Sequence, residues 1–166
     1  MDSAQLRALQ APLKQRYRET PESARVIAHA EATLDPAGVA CTVPVWHHAV
    51  IAGLHPSTGG DGSQACSADM LLEALVACAG VTLRAVATAM GITLRSGKVM
   101  AEGVWDARGT LGIDRAVPVG LSEVSLRFEI DADIDDARRA RLIETTERYC
   151  VIYQTLKNPP RLSVAA

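Results

Sequence analysis

Two cysteines stand where a thiol could do chemistry. Cys78 lies in the middle of the apolar run ADMLLEALVACAGVTLRAV, and Cys150 follows some seventy residues later in RYCVIYQTL. A free cysteine is either a small buried hydrophobe or, when ionised and accessible, a nucleophile. At 100° per residue, Cys78 shares a helix face with Leu71, Ala74, Leu75, Val81, Thr82 and Ala85. Thr82 sits one turn on, where its hydroxyl could donate to the sulfur. Helical spacing likewise groups Cys150 with Leu142, Thr146, Tyr149 and Tyr153. Core packing alone would account for both cysteines.

The other candidates carry less. Cys41 sits among Val43 and Val45 and reads as packing. Cys66 precedes the apolar helix in a loop, where a thiol is more exposed. No two of the four cysteines have CxxC spacing, which disfavours a structural zinc site. His47, His48, His55 and Cys66 have metal-ligating types but no ligand spacing, so no metal is expected. Gly59-Gly60-Asp61-Gly62-Ser63 precedes a helix but lacks the lysine of a phosphate loop. Asp133, Asp135 and Asp136 cluster where a helix N-terminus would use them as caps. No serine lies in G-x-S-x-G. A Cys78 hydrolase would need a base, and every histidine falls in the first third of the chain.

Composition sets the frame. The 166 residues are 48% apolar and 22% charged, with a net charge of -2. That fits one ordinary globular domain. No basic excess draws phosphate backbones, and aromatics at 4% offer no stacking platform, so nucleic acid is excluded as main ligand. The N-terminus is charged and lacks the apolar stretch of a signal peptide. A reducing, cytoplasmic compartment is therefore expected. Glu73 and Arg84 interrupt the run from Met70 to Met90, so a buried soluble helix is expected there rather than a membrane span.

The elements that must position the cysteines follow from periodicity. Residues 3–18 predict a surface helix that ends by Pro21. Alternation over 25–34 predicts a strand, Asp35 to Gly38 a turn, and Val39 to Trp46 a second strand of the same hairpin. Pro44 belongs at an edge. A glycine-rich loop over 53–67 leads through Ser67 into the apolar helix, which Gly91 closes. Residues 93–106 and 121–131 predict strands, with Val124, Leu126, Phe128 and Ile130 inward and an irregular connection between. Asp135 caps a helix over 136–149, and RLSVA predicts a last short strand. This order gives an α+β fold with helices packed on sheet.

The Cys78 helix, together with Cys150 at the end of another helix, resembles the OsmC/Ohr superfamily (osmotically inducible protein C and organic hydroperoxide resistance proteins). In that family a helix reading roughly P-x-x-L-L-x-x-A-L-x-x-C carries the first cysteine, and the second follows some sixty to seventy residues on. The resemblance spans roughly residues 25–165. It implies an OsmC-like domain over 23–166, preceded by a helical extension over 1–22. It further implies an intertwined homodimer, with sheets of antiparallel type wrapped around two central helices.

The resemblance also implies thiol peroxidase chemistry in oxidative-stress defence. Cys78 would attack an organic hydroperoxide and become a sulfenic acid. Cys150 would condense with it to a disulfide, and a dithiol reductant such as a lipoyl protein would restore both. No cofactor is implied. Apolar burial raises a thiol pKa, so a cation is expected beside Cys78. The family's arginine and its supporting glutamate would supply it. Here Ser67 and Ala68 occupy the proline and glutamate positions, Asp69 follows, and Arg25 or Arg108 could serve. The alternative is a protein of the same fold that binds a small apolar ligand, its cysteines only lining the pocket.

Overall fold

The computed structural model describes residues 1–165. The elements run α1 (Ser3–Glu19), a 3-10 turn (Pro21–Ala24), β1 (Thr33–Leu34), β2 (Cys41–Val45), β3 (His48–Ala52), α2 (Ser67–Ala89), β4 (Ser96–Val104), α3 (Ala107–Thr110), β5 (Glu123–Asp131), α4 (Asp136–Tyr149) and α5 (Val151–Lys157). They form two small sheets, one of three strands in the order β1-β2-β3 and one of β4 with β5. The architecture is the expected mixture of helices and antiparallel sheet. Two compact units divide it: one of Met1–Val26, Ala74–Met100 and the chain from Leu126 onward, the other of Ile27–Glu73 and Ala101–Ser125.

The first unit holds the core. Leu83, Val86 and Ala87 of α2 meet Ile92, Ala132 and Leu142, with Phe128 and Ile130 of β5 packed against them. On α2 the buried side chains are Leu75, Ala79, Leu83, Val86 and Ala87, a stripe of i,i+3 and i,i+4 steps. This stripe differs from the expected Cys78 face: Leu71, Ala74 and Val81 are exposed, while Ala87 is buried. The helix was expected to be enclosed, yet only 28% of its most apolar stretch is buried within this chain. It is also the one helix among the described residues with the length and composition to cross a membrane. Gly91 closes it with φ +64°, and the Ile92 N–H reaches back to the Ala87 carbonyl at 2.8 Å. Only glycine takes that backbone conformation without strain. On β5, Leu126, Phe128 and Ile130 alternate inward as expected, whereas Val124 is exposed.

The second unit is built on a hairpin the sequence misplaced. Cys41 to Val45 pairs antiparallel with His48 to Ala52, so Trp46 and His47 form a two-residue turn. Trp46 takes φ +51° there, the only positive φ outside glycine among the described residues. Two-residue hairpin turns require such angles, but no Asn-Gly or Gly-Gly signal marks this one. Only Thr33 and Leu34 of the expected first strand pair with β2. Residues 25–32 form no strand, and Val26 and Ile27 stand 85% and 76% exposed. Pro44 lies in the central strand, contrary to the edge expectation, but past the end of β1. Its missing N–H therefore leaves no second ladder broken. In the loop that follows, Gly60 is pressed against the Leu54 carbonyl, and any side chain there would collide with it. Residues 161–165, expected as a strand, form none.

Candidate functional site

Both cysteines belong to the first unit, and the fold brings them together. α2 presents Cys78, half-buried, from its middle. Cys150 arrives from α4, where Leu142, Thr146 and Cys150 succeed one another at helical spacing, each at 0% exposure. Expected with them, Tyr149 is instead 61% exposed.

At Cys150 the helix breaks. The backbone there is extended, φ −75° and ψ 108°, and α5 begins at the next residue. The hydrogen-bond ladder survives the break. The Cys150 N–H donates to the Thr146 carbonyl at 2.9 Å, and the Gln154 N–H donates to the Cys150 carbonyl at 2.9 Å. The first N–H groups of a helix have no partner within it, and those of α5 bear on the acidity of both thiols.

These contacts drive the two thiols apart in acidity. Burial pushes Cys78 up, but the Ile152 N–H, the Cys150 thiol, the Val151 N–H and the Thr82 hydroxyl outweigh it, and its pKa falls below the ordinary thiol value. Burial pushes Cys150 up as well. The Tyr153 N–H opposes this, but the hydrogen bond and the charge of Cys78 reinforce it, and the net shift is upward. One thiol is thus set to ionise first, with the other as its protonated donor.

The junction is tied down around the pair. Tyr153 is half-buried, and burial first, then the neighbouring Glu147 carboxylate, raises its pKa. Gln154 Nε2 donates to the Glu147 carbonyl at 2.9 Å. An open cavity of about 480 Å³ lies against the same junction, lined by Arg148, Tyr149, Cys150, Val151, Gln154 and Pro160 among others.

Within this chain the groups that lower the Cys78 pKa are uncharged donors. Arg108, one of the two arginines considered, is engaged by Asp106 at 2.6 Å, and the Arg108 guanidinium and N–H hold that carboxyl down at about 2. Arg25 is an exposed residue just after the 3-10 turn. The sequence hinted through its i+4 spacing that Thr82 acts on Cys78. It gave no sign of the backbone donors, since N–H groups at a helix break carry no side-chain signature.

The remaining candidates belong to the second unit. Cys41 lies on β2 opposite Ala52. Cys66 precedes α2 and is half-buried, less exposed than expected. His55 accepts the Ser57 N–H at 3.1 Å and stands edge-on to Trp105 at 5.4 Å. Among the described residues no three His, Cys, Asp or Glu side chains gather as metal ligands.

Comparison with known proteins follows the same lines. The family model described as "OsmC-like protein" matches residues 60–165. An OsmC-like protein from Mycoplasma pneumoniae superposes with a TM-score of 0.67 at 20% identity, over 81% of this chain and 89% of that one. An organic hydroperoxide resistance protein from Elizabethkingia anophelis gives 0.64 at 16% identity, over 81% and 92%. An organic hydroperoxide resistance protein from Legionella pneumophila gives 0.63 at 14%, over 81% and 93%. No curated protein matches the sequence. At these identities the structural likeness speaks to the fold.

Proposed function

The chain belongs to the OsmC-like protein family, and from that premise we propose that it is a thiol-dependent peroxidase that reduces organic hydroperoxides in oxidative-stress defence. One observation carries this reading: Cys78 of α2 and Cys150 at the α4–α5 junction belong to one compact unit and shift each other's acidity in opposite directions, Cys78 down and Cys150 up. A nucleophile and its resolving partner need that arrangement before the reaction starts.

The Cys78 thiolate attacks the terminal oxygen of the hydroperoxide. The O–O bond breaks, an S–O bond forms, and the leaving alkoxide takes a proton to become the alcohol. Cys78 is left as a sulfenic acid, oxidised by two electrons. Its negative charge has then gone, and with it the charge that held Cys150 protonated. Cys150 loses its proton and attacks the Cys78 sulfur. The disulfide forms, and hydroxide leaves with that proton as water. A dithiol such as a lipoyl group reduces the disulfide by exchange and becomes a disulfide itself. Leu75 and Ala79, buried on α2 within one turn of Cys78, give that stretch of helix an apolar character, which favours an alkyl hydroperoxide over hydrogen peroxide.

We further propose that the working form is an intertwined homodimer in a reducing cytoplasm, with residues 1–22 as an extension to the family domain. The exposed apolar residues of α2 support it, Val81 at 73% among them, as do Val26 and Ile27 in a stretch with strand alternation but no strand partner. A turnover assay with cumene hydroperoxide and a dihydrolipoyl compound tests the chemistry. Cys78→Ser abolishes turnover on this reading; full activity in that variant would overturn it.

A further inference from the structure

We propose that His55 is a pH-sensitive catch in the second unit, whose protonation releases the glycine-rich loop from its folded form and from Trp105. One residue holds this loop through both its main chain and its side chain. The His55 carbonyl accepts the Thr58 N–H at 2.8 Å, the Gly60 N–H at 3.1 Å and the Thr58 hydroxyl at 2.9 Å. Its ring Nδ1 accepts the Ser57 N–H at 3.1 Å and meets the Ser57 hydroxyl at 2.6 Å, at the start of a 3-10 turn (Pro56–Thr58). The ring is half-buried and stands edge-on to Trp105, with centroids 5.4 Å apart. α3 lies against the same turn. At the base of the loop the Gly53 N–H donates to the Ala65 carbonyl at 2.9 Å, and the Ala65 N–H donates to the Ile51 carbonyl at 3.0 Å.

The charge on the ring decides whether it can do this. A backbone N–H only donates, so Nδ1 is the unprotonated nitrogen of a neutral imidazole. A second proton turns Nδ1 into a donor aimed at the Ser57 N–H. Two donors then face each other, and the turn loses its cap. Histidine is the side chain that ordinarily changes charge between about pH 5 and 8. The charged groups around it are already engaged. Asp106 and Arg108, on the segment packed against the turn, pair with each other at 2.6 Å. Asp61 of the same loop accepts the Ser63 N–H at 2.9 Å and the Ser63 hydroxyl at 2.6 Å. The bonds at the base join backbone groups that do not titrate, so acid opens the loop between its ends and leaves the ends in place.

Amide hydrogen exchange in the full-length reduced protein, read by peptide mass spectrometry, tests this without any thiol chemistry. The unmodified chain and His55→Asn are compared at about pH 8 and pH 5, with exchange times scaled for the intrinsic pH dependence of the amide rate. Asparagine places an uncharged oxygen where Nδ1 stood and keeps the cap at both pH values. In the unmodified chain the protection of residues 55–60 falls about tenfold at the lower pH, while peptides of α4 keep theirs. In His55→Asn the loop stays protected at both. Equal loop protection at the two pH values in the unmodified chain would overturn the proposal. So would a loss shared by His55→Asn, which would place the titrating group elsewhere, or a loss that spread to α4. His55→Ser replaces asparagine if circular dichroism shows that variant unfolded. Trp46→Phe leaves Trp105 as the one indole. In that background its emission moves reversibly to longer wavelength as the pH falls, and an emission that stays in place would contradict its release.

Discussion

A thiol held inside apolar helices keeps its proton unless something replaces the water that would have solvated its charge. In this protein two backbone N–H groups, a hydroxyl and a second thiol lower the Cys78 pKa. The break between α4 and α5 falls at Cys150, so the first N–H groups of α5 are those that follow it. Replacing Cys150 by serine keeps a donor and removes the resolving sulfur. Cys150→Ser therefore consumes one equivalent of hydroperoxide at close to the normal first-step rate, accumulates the Cys78 sulfenic acid and stops. Dimedone trapping followed by mass spectrometry checks this, and continued turnover through Cys150→Ser would contradict it. The cysteines were legible because spacing and side-chain chemistry mark them. The reading that looked for a cation counted side chains only, whereas backbone N–H groups of this chain also lower the Cys78 pKa.

Elements with a strong period and a marked cap were read closely. α2 starts at Ser67 and is closed by Gly91, and α4 follows the Asp135 cap. β4 and β5 fall within the expected ranges. The misses share a cause. Residues 25–32 alternate like a strand, but a strand is a pairing, and this chain offers them no partner. β3 was missed because Trp46 takes the positive φ of the turn without any residue that announces it. α5 was missed as an element because the helix pattern runs on through Cys150 and hides the break. α4 is the element that carries Cys150 to Cys78, and Leu142 is its anchor at 0% exposure within the core. Leu142→Ala removes that packing and costs about 2–5 kcal/mol. Urea unfolding followed by circular dichroism measures it. A loss well under about 1 kcal/mol would show that the core closes around the gap and that α4 is held by other contacts.

At the scale of the molecule, one chain leaves large apolar side chains in water. Trp46, Leu162 and Val164 are 95%, 86% and 98% exposed, and the apolar helix α2 keeps Val81 open. Large apolar side chains left this open are the kind an interface covers. The account predicts a dimer in sedimentation velocity at micromolar concentration, and a shift toward monomer in Val81→Glu. A stable, well-folded monomer of the unmodified chain would contradict it. Family membership and the α+β class were legible from one helix motif and the position of a second cysteine. The enclosure of α2 was not, because a sequence shows that a face must be covered but not which chain covers it. The central claim, that Cys78 and Cys150 form one redox pair, is tested most directly by peptide mass mapping of the reduced protein after one equivalent of cumene hydroperoxide. The account predicts a rapid Cys78–Cys150 disulfide with Cys41 and Cys66 still free. Four unreacted thiols, or oxidation spread evenly over all of them, would contradict it.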